Sequence, residues 1–397
     1  MRTITLTLAV LATAAPALAG ARTIAVAAGP DAQSRLQEAL IDAKPGDVVA
    51  IGAGRFELTD GLSLDVAKVT VRGAGQGKTT LSFKGQQGAG EGLLVSSDDV
   101  VLRDFAVEDA KGDGIKSKAA NRIVYKALTV RWTGGPKETN GAYGVYPVES
   151  RDVLIDGVTV EGASDAGIYV GQCENIVVRN STARFNVAGI EIENSRHADV
   201  HDNLATHNTG GILIFDLPNL PRGNGGDVRV FANRVVDNDT ANFAPKGNIV
   251  ASVRKGTGVL VMANDQIWVA RNQLSGNATA NVMIVSYRNA FTDPKYNPMP
   301  RRVQVDANTQ GRAGFAPQLP GAEQLVAAFG GAIPPVLWDG AGDGATLRVA
   351  DAKVLSLGLP QGAAMETAKP VPATLTAAAV PERVAVVLPA TMESAAR

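Results

Sequence analysis

Residues 189–194 read GIEIEN, isoleucine alternating with glutamate between a glycine and an asparagine. Side chains of an extended strand point to opposite faces in turn, so Ile190 and Ile192 share one face and Glu191 and Glu193 the other. The pattern repeats. Residues 173–194 and 195–216 superimpose without a gap at a step of 22, with Val178 on Val200, Asn180 on Asp202, Asn186 on Asn208, Gly189 on Gly211 and Ile190/Ile192 on Ile212/Ile214. The preceding unit, 150–172, is one residue longer, and GLLV (92–95), GIKS (114–117), GVYP (144–147), GVLV (258–261) and NVMI (281–284) mark others. Each unit holds about three short strands separated by Asn, Asp or Gly. A unit this small cannot bury its apolar face alone, whereas stacked units close one continuous core. The pattern therefore predicts an all-β chain, a single right-handed parallel β-helix. A propeller blade would need roughly 40 residues.

The open ends of a solenoid need covers. Residues 31–46 begin with Asp31 as an N-cap, place Leu36, Ala39, Leu40 and Ala43 on one helical face and stop at Pro45-Gly46. They read as the N-terminal capping helix. RVQVDAN (302–308) reads as a last rung, and the Ala- and Pro-rich composition of 346–397 as a weakly ordered C-terminal tail. The β-helix domain is thus expected over 20–345. Residues 1–19, with Arg2, an apolar run and ALA at 17–19, read as a signal peptide, which places the mature protein in the periplasm or outside the cell. The run is too short, and too soon broken by Pro16, for a membrane span.

Composition narrows the partners. Without Arg2 the chain has 37 basic and 39 acidic residues, from 38 and 39 in the whole sequence. A near-neutral balance argues against nucleic acid and against binding a polyanion through bulk charge. The single cysteine, Cys173, allows no intrachain disulfide and reads as a small core residue. Asn186, Asn208, Asn238 and Asn277 fall at equivalent turns and read as a hydrogen-bonded ladder.

The glycine-led strand of each unit sends one residue outward between two inward ones. Along the stack this outward column reads Leu94, Lys116, Tyr146, Tyr169, Glu191, Leu213, Leu260 and Met283, with Glu193 beside Glu191. Extra residues at 132–143, 216–226 and 239–258 border that face, and long insertions in a compact repeat are commonly functional. The expected site is a surface groove walled by these loops. The competing reading is solvated surface, with Lys116 and the glutamates as a compensating charge ladder. His197, His201 and His207 crowd one rung, but intervening turns scatter them, so no metal site is expected. Calcium is a possible ligand of Asp98, Asp99, Asp104, Asp109 and Asp113, although their spacing fits no calcium loop.

With the units in place, TNGAYGVYPVES, SDAGIYVGQ, NVAGIEIENS, NTGGILIFDLP and NFAPKGNIVASVRKGTGVLVMAN make the chain resemble the exported pectin-lyase-like β-helix proteins over roughly 30–340. They are similar in particular to a subgroup without assigned chemistry. The resemblance implies a polysaccharide partner and β-elimination or C5-epimerisation of a uronate chain, with glycoside hydrolysis ranked lower. It equally implies a non-catalytic carbohydrate-binding or accessory protein of the periplasm. The Asp-Pro-His-Asp string of mannuronan epimerases and the paired aspartates of polygalacturonases are missing, so no catalytic residue carries over. For elimination, Tyr146, Tyr169 or Lys116 would be the base if its pKa were depressed, and Lys116 or Arg184 would offset the substrate carboxylate. Glu191 and Glu193 would orient the base or bind hydroxyls, and Asp165, Arg184 and Phe215 are further substrate-binding candidates. The apolar steps Leu213, Leu260 and Met283, with Phe215, would suit a protein partner.

Overall fold

The computed structural model describes residues 20–88 and 90–397; the expected signal peptide lies outside the described residues. Three long sheets of 12, 12 and 10 strands run the length of the molecule, with each rung contributing one strand to each. A full rung comprises a strand of the site sheet such as Ala188–Glu193, one of the back sheet such as Arg196–His201, and a short third strand such as Leu204–Thr206. Apart from one antiparallel edge strand, Val371–Ala373, the pairing is parallel, and the coil is a right-handed β-helix.

Register follows the 22-residue step. Ile190 pairs with Ile212 and Ile192 with Ile214, while Glu191 pairs with Leu213 and Glu193 with Phe215. Ile168, Ile190, Ile212, Val259 and Val282 form one fully buried inner column. The asparagine ladder also forms: Asn186 Nδ2 donates to Asn208 Oδ1 at 3.0 Å, Asn208 to Asn238 at 3.1 Å and Asn238 to Asn277 at 3.0 Å. A second ladder, not anticipated, runs through Asn203, Asn233, Asn272 and Asn308 and ends on Asp351. Each buried amide also satisfies backbone carbonyls of the turns, which would otherwise be costly to bury.

Helix α1 (Ala32–Asp42) plugs the N-terminal end with Leu36, Ala39 and Leu40 buried. Asp31 departs from expectation. It sits in the left-handed region (φ 56°) and its carboxylate makes no capping bond. The C-terminal residues depart further. Strands Leu347–Val349 and Val354–Ser356 extend two of the sheets past 345. The chain then returns along the back sheet as a strap ending in a short helix (Ala390–Ala395). Val386, Leu388, Met392 and Ala396 pack on Val124, Leu154 and Val177. Arg383 bridges Asp227 (2.6 Å) and Asp199 (2.8 Å), and Arg179 pairs with Glu393 at 2.7 Å. Composition suggested a weakly ordered tail because its anchors are sparse; they are nevertheless spaced to meet partners on successive rungs.

Asn208→Ala should lower unfolding free energy by about 2–4 kcal/mol, since it orphans several buried backbone groups at once. Asn180→Ala, at an exposed turn where the side chain reaches only Asp156, should cost under about 1 kcal/mol. Urea denaturation of both variants tests the ladder; equal losses would refute it.

Candidate functional site

The outward column assembles as the repeat implies. Lys116 lies between Leu94 and Tyr146, Tyr169 beside Glu191, and Leu213, Leu260 and Met283 follow in register. Tyr169 follows Tyr146 because Val145 pairs with Ile168. Most of this column does not face solvent. Glu191 is 2% exposed, Tyr169 4% and Leu213 fully buried. Segment 239–258 crosses the face: Val250 and Val253 join Tyr169, Leu213 and Phe215 in a second apolar core, and Asn248 donates to Asp165 at 3.0 Å. Tyr287, Phe291 and Tyr296 from 286–299, together with Leu357 and Leu359, extend the cover. The Tyr296 hydroxyl fixes this cover to the Asp216 carbonyl at 2.5 Å. Consecutive outward apolar residues on adjacent strands would have left a large apolar patch in water, so a cover is the stable solution. That run was the available signal. It also removes the surface proposed for a protein partner, because Leu213, Phe215, Leu260 and Met283 are all consumed in the second core.

The rungs press three tyrosines together. Tyr143 lies 4.4 Å from Tyr169 and 4.6 Å from Tyr146, and Tyr146 meets Tyr169 edge-on at 4.9 Å between centroids. Behind them is a cluster of carboxyls. The Tyr169 hydroxyl donates to Glu193 at 2.6 Å, and Asp165 lies close enough to Tyr143 for its charge to act on the phenol. Burial, then the adjacent charges of Asp165 and Glu193, push Glu191 well above the ordinary carboxyl range. Burial also raises Glu193, against the stabilising bonds from Tyr169 and Glu191. Both shifts favour the protonated form, most strongly at Glu191. Glu191 Oε2 has no partner among the described residues. Asp165 is raised to about 7, by burial first and the charge of Glu193 next.

The more open end is organised around Lys116. Its ammonium pairs with Glu91 at 2.9 Å and Asp113 at 3.5 Å, and lies 4.8 Å above the Tyr146 ring. Burial works against the Lys116 charge, but Glu91 and Asp113 more than offset it and hold its pKa above normal. Burial raises Asp113 to about 6, with Lys116 opposing and Glu91 reinforcing the shift. Sequence reading had set Asp113 aside as one of several turn aspartates; no local pattern reveals that its turn folds beneath Lys116.

The expected base assignments therefore fail on electrostatics. Burial drives Tyr169 strongly upward and carries Tyr146 to about 12, while Glu91 and Asp113, against burial, keep Lys116 protonated. None is a base near neutrality. Arg184 is not part of the cluster. It lies on the third sheet, paired with Glu161 at 2.5 Å. Phe215 lies on the site face beside Glu193, under the cover. The histidines diverge: His197 meets Asn175, His201 stacks on Phe231, and His207 stacks on Phe185. Cys173 is buried, with its thiol pushed up to about 12. The calcium candidates do not fit that ion. Asp98 and Asp99 hold Arg122, Asp104 holds Arg103, Asp109 accepts from Thr133, and Asp113 faces Lys116. Among the described residues no cluster of three or more such ligands is arranged for a metal.

The family model "Right handed beta helix region" matches residues 69–221. Among solved structures, the A-module of mannuronan C-5 epimerase AlgE6 from Azotobacter vinelandii superimposes with a TM-score of 0.50 at 15% identity, over 78% of this chain and 86% of that one. The chain has the right-handed parallel β-helix fold. An alginate lyase from Paenibacillus sp. (17% identity, 75% and 96% covered, TM-score 0.44) and pectate lyase Pel9A (12%, 75% and 79%, 0.39) are also similar to this chain. No curated protein sequence matches it. No helix of the described residues is long and apolar enough to cross a membrane.

The raised carboxyls give the chain an unusual pH response. Glu191, Glu193 and Asp165 bind protons more tightly when folded than when unfolded, where carboxyls titrate near 3.8–4.5. Stability should therefore fall as pH rises from about 4 through about 7. Below about pH 4 the ion-paired carboxylates held low, such as Glu108 and Asp199, reverse the slope. Glu191→Gln should raise stability at pH 8 by on the order of 1–3 kcal/mol and flatten the slope. Melting curves at pH 5 and pH 8 measure both; an unchanged slope in the variant would refute the upward shift of Glu191.

Proposed function

We propose that this protein is exported, binds a uronate-containing polysaccharide at the Lys116 end of the site sheet, and modifies it there by β-elimination or C5-epimerisation. The observation that carries the reading is Asp113: a half-buried carboxyl raised to about 6, 3.5 Å from the Lys116 ammonium and accepting from the backbone amide of Tyr143 at 3.3 Å. A general base works best with a pKa near the operating pH. Polysaccharide-acting proteins among the similar structures agree with a carbohydrate partner, but at their low identity they speak for the fold.

In this reading the half-buried rings of Tyr143 and Tyr146 stack on sugar faces. Lys116 exchanges Glu91 for the substrate carboxylate and lowers the cost of charge developing there. Asp113 removes the C5 proton. In elimination, electrons of the C5–H bond form C4=C5 as the C4–O bond breaks, and the departing O4 takes a proton from the Tyr146 hydroxyl, which its high pKa keeps protonated. In epimerisation, C5 is reprotonated on the opposite face. Asp165, Glu191, Glu193 and Tyr169 lie behind the reacting groups and hold the tyrosines in place.

With polyuronates as substrates, kcat/KM should rise through about pH 6 as Asp113 ionises. Asp113→Asn should remove that rise and lower turnover by ~10²–10⁴-fold, whereas Tyr169→Phe should cost less than about tenfold. Product is read as new absorbance of unsaturated uronate for elimination, or as solvent deuterium at C5 for epimerisation. Polymer that binds and stays unchanged by both measures would replace this reading with a non-catalytic binding role. That alternative is favoured by the burial of Glu191 and Tyr169.

A further inference from the structure

Farther along the site sheet, beyond Phe215, the cover leaves a cavity of about 250 Å³ between the sheet, segment 249–254, segment 285–289 and the C-terminal stretch at 357–365. Its apolar wall is Phe215, Leu260, Met262, Met283, Leu357 and Met365. Two arginines, Arg254 and Arg288, enter it from different segments.

Neither guanidinium has an adequate counter-ion. Nη1 and Nη2 of Arg288 are shut off from solvent and make no hydrogen bond among the described residues. The nearest carboxylate, Asp339, is 3.9 Å away and is already committed to the amide and hydroxyl of Ser286, both at 2.7 Å, and to the amide of Ala341 at 2.9 Å. Arg254 donates only to the Gln318 carbonyl. Burial and the charge of Arg288 both depress Arg254, with Glu366 partly opposing. Two mutually repelling cations at a largely apolar cavity, one with unpaired buried donors, carry an appreciable cost. An anion that draws the Arg288 guanidinium out into the cavity, beside Arg254, removes it.

We propose that this cavity is a binding site for a small amphipathic carboxylate, its anionic head held between Arg254 and Arg288 and its hydrocarbon body against Met262, Met283, Leu260 and Met365. The occupant is assigned by the walls. A free sugar acid would satisfy the arginines but would bury its hydroxyls against thioethers and leucine, leaving them unpaired. An uncharged alkyl chain would fill the cavity but leave the guanidinium nitrogens orphaned. A medium-chain fatty acid meets both demands, and methionine walls adapt to such a chain. The size is that of a site for a small ligand rather than a polymer. The site is separate from the Lys116 cluster and does not depend on the reading of that cluster as catalytic.

Isothermal titration of the full-length protein with octanoate, octanol and galacturonate decides the matter. Octanoate should bind at least tenfold more tightly than either other probe. Arg288→Met should weaken octanoate at least tenfold, and Arg288→Lys less. Met283→Trp, which fills the cavity while both arginines remain, should abolish binding. Equal or tighter binding of galacturonate, no octanoate binding by the wild type, or full affinity in Arg288→Met would each overturn the proposal. If Arg288→Met does not fold, the discrimination among the three probes by the wild type and the Met283→Trp result decide alone.

Discussion

In a parallel stack, equivalent positions on neighbouring rungs are held about 4.8 Å apart and side chains cannot splay away from one another. That spacing brings Tyr146, Tyr169 and Glu191 onto adjacent strands and lays Glu193 within reach of the Tyr169 hydroxyl. On a flexible surface, like charges relax outward into solvent. Here the backbone register forbids it, and the asparagine ladders within the turns keep that register from slipping. Proximity imposed in this way adds to burial in raising the carboxyls.

Covering the column turns proximity into chemistry. Each large apolar side chain of the second core, such as Leu213 or Phe215, contributes roughly 1.5–3 kcal/mol when taken out of water. That gain is sufficient to carry polar neighbours into the interior with them, Glu191 and Asp165 among them. The cover grades the face by depth. Lys116 and Asp113 remain half-buried, where a charged group keeps some solvent and a modest shift. Glu191 loses solvent altogether and becomes neutral. Farther along, the same cover encloses Arg254 and Arg288 with the opposite sign and no nearby acid to pair them fully. One folded surface thus holds an ionisable mouth, an interior of raised carboxyls and a cationic pocket.

The features legible in the sequence are those that repeat. Ile190 and Ile212, the Asn186 ladder and the membership of the outward column all follow from a periodic constraint, so each unit testifies for the next. The non-repeating contacts were hidden. Asp113 acquires its role from a turn that folds beneath Lys116, the cover comes from insertions with no periodic pattern, and the strap on the back sheet meets partners about 150–290 residues away in sequence. Arg184 was misplaced for a related reason. Its strand belongs to the third sheet, and a charge count along the chain does not reveal which of three faces a short strand occupies.

The glutamates of GIEIEN therefore do not act as solubilising surface, and their presence runs against stability. A buried carboxyl with an oxygen lacking any partner costs more than the apolar residue that would fit a column continuing into Leu213. What the chain obtains in exchange is positional. With the Glu191 carboxyl pushed toward its neutral form, Glu193 accepts from the Tyr169 hydroxyl at 2.6 Å. Tyr169 is thereby held in contact with Tyr143 and Tyr146, with the Asp165 carboxyl close to Tyr143. The three rings present a fixed aromatic platform to the half-buried end where Lys116 and Asp113 sit. Replacing the two acids with isoleucines would strengthen the second core and leave the platform without its anchor, so the cost is confined to the place where orientation of the tyrosines matters most.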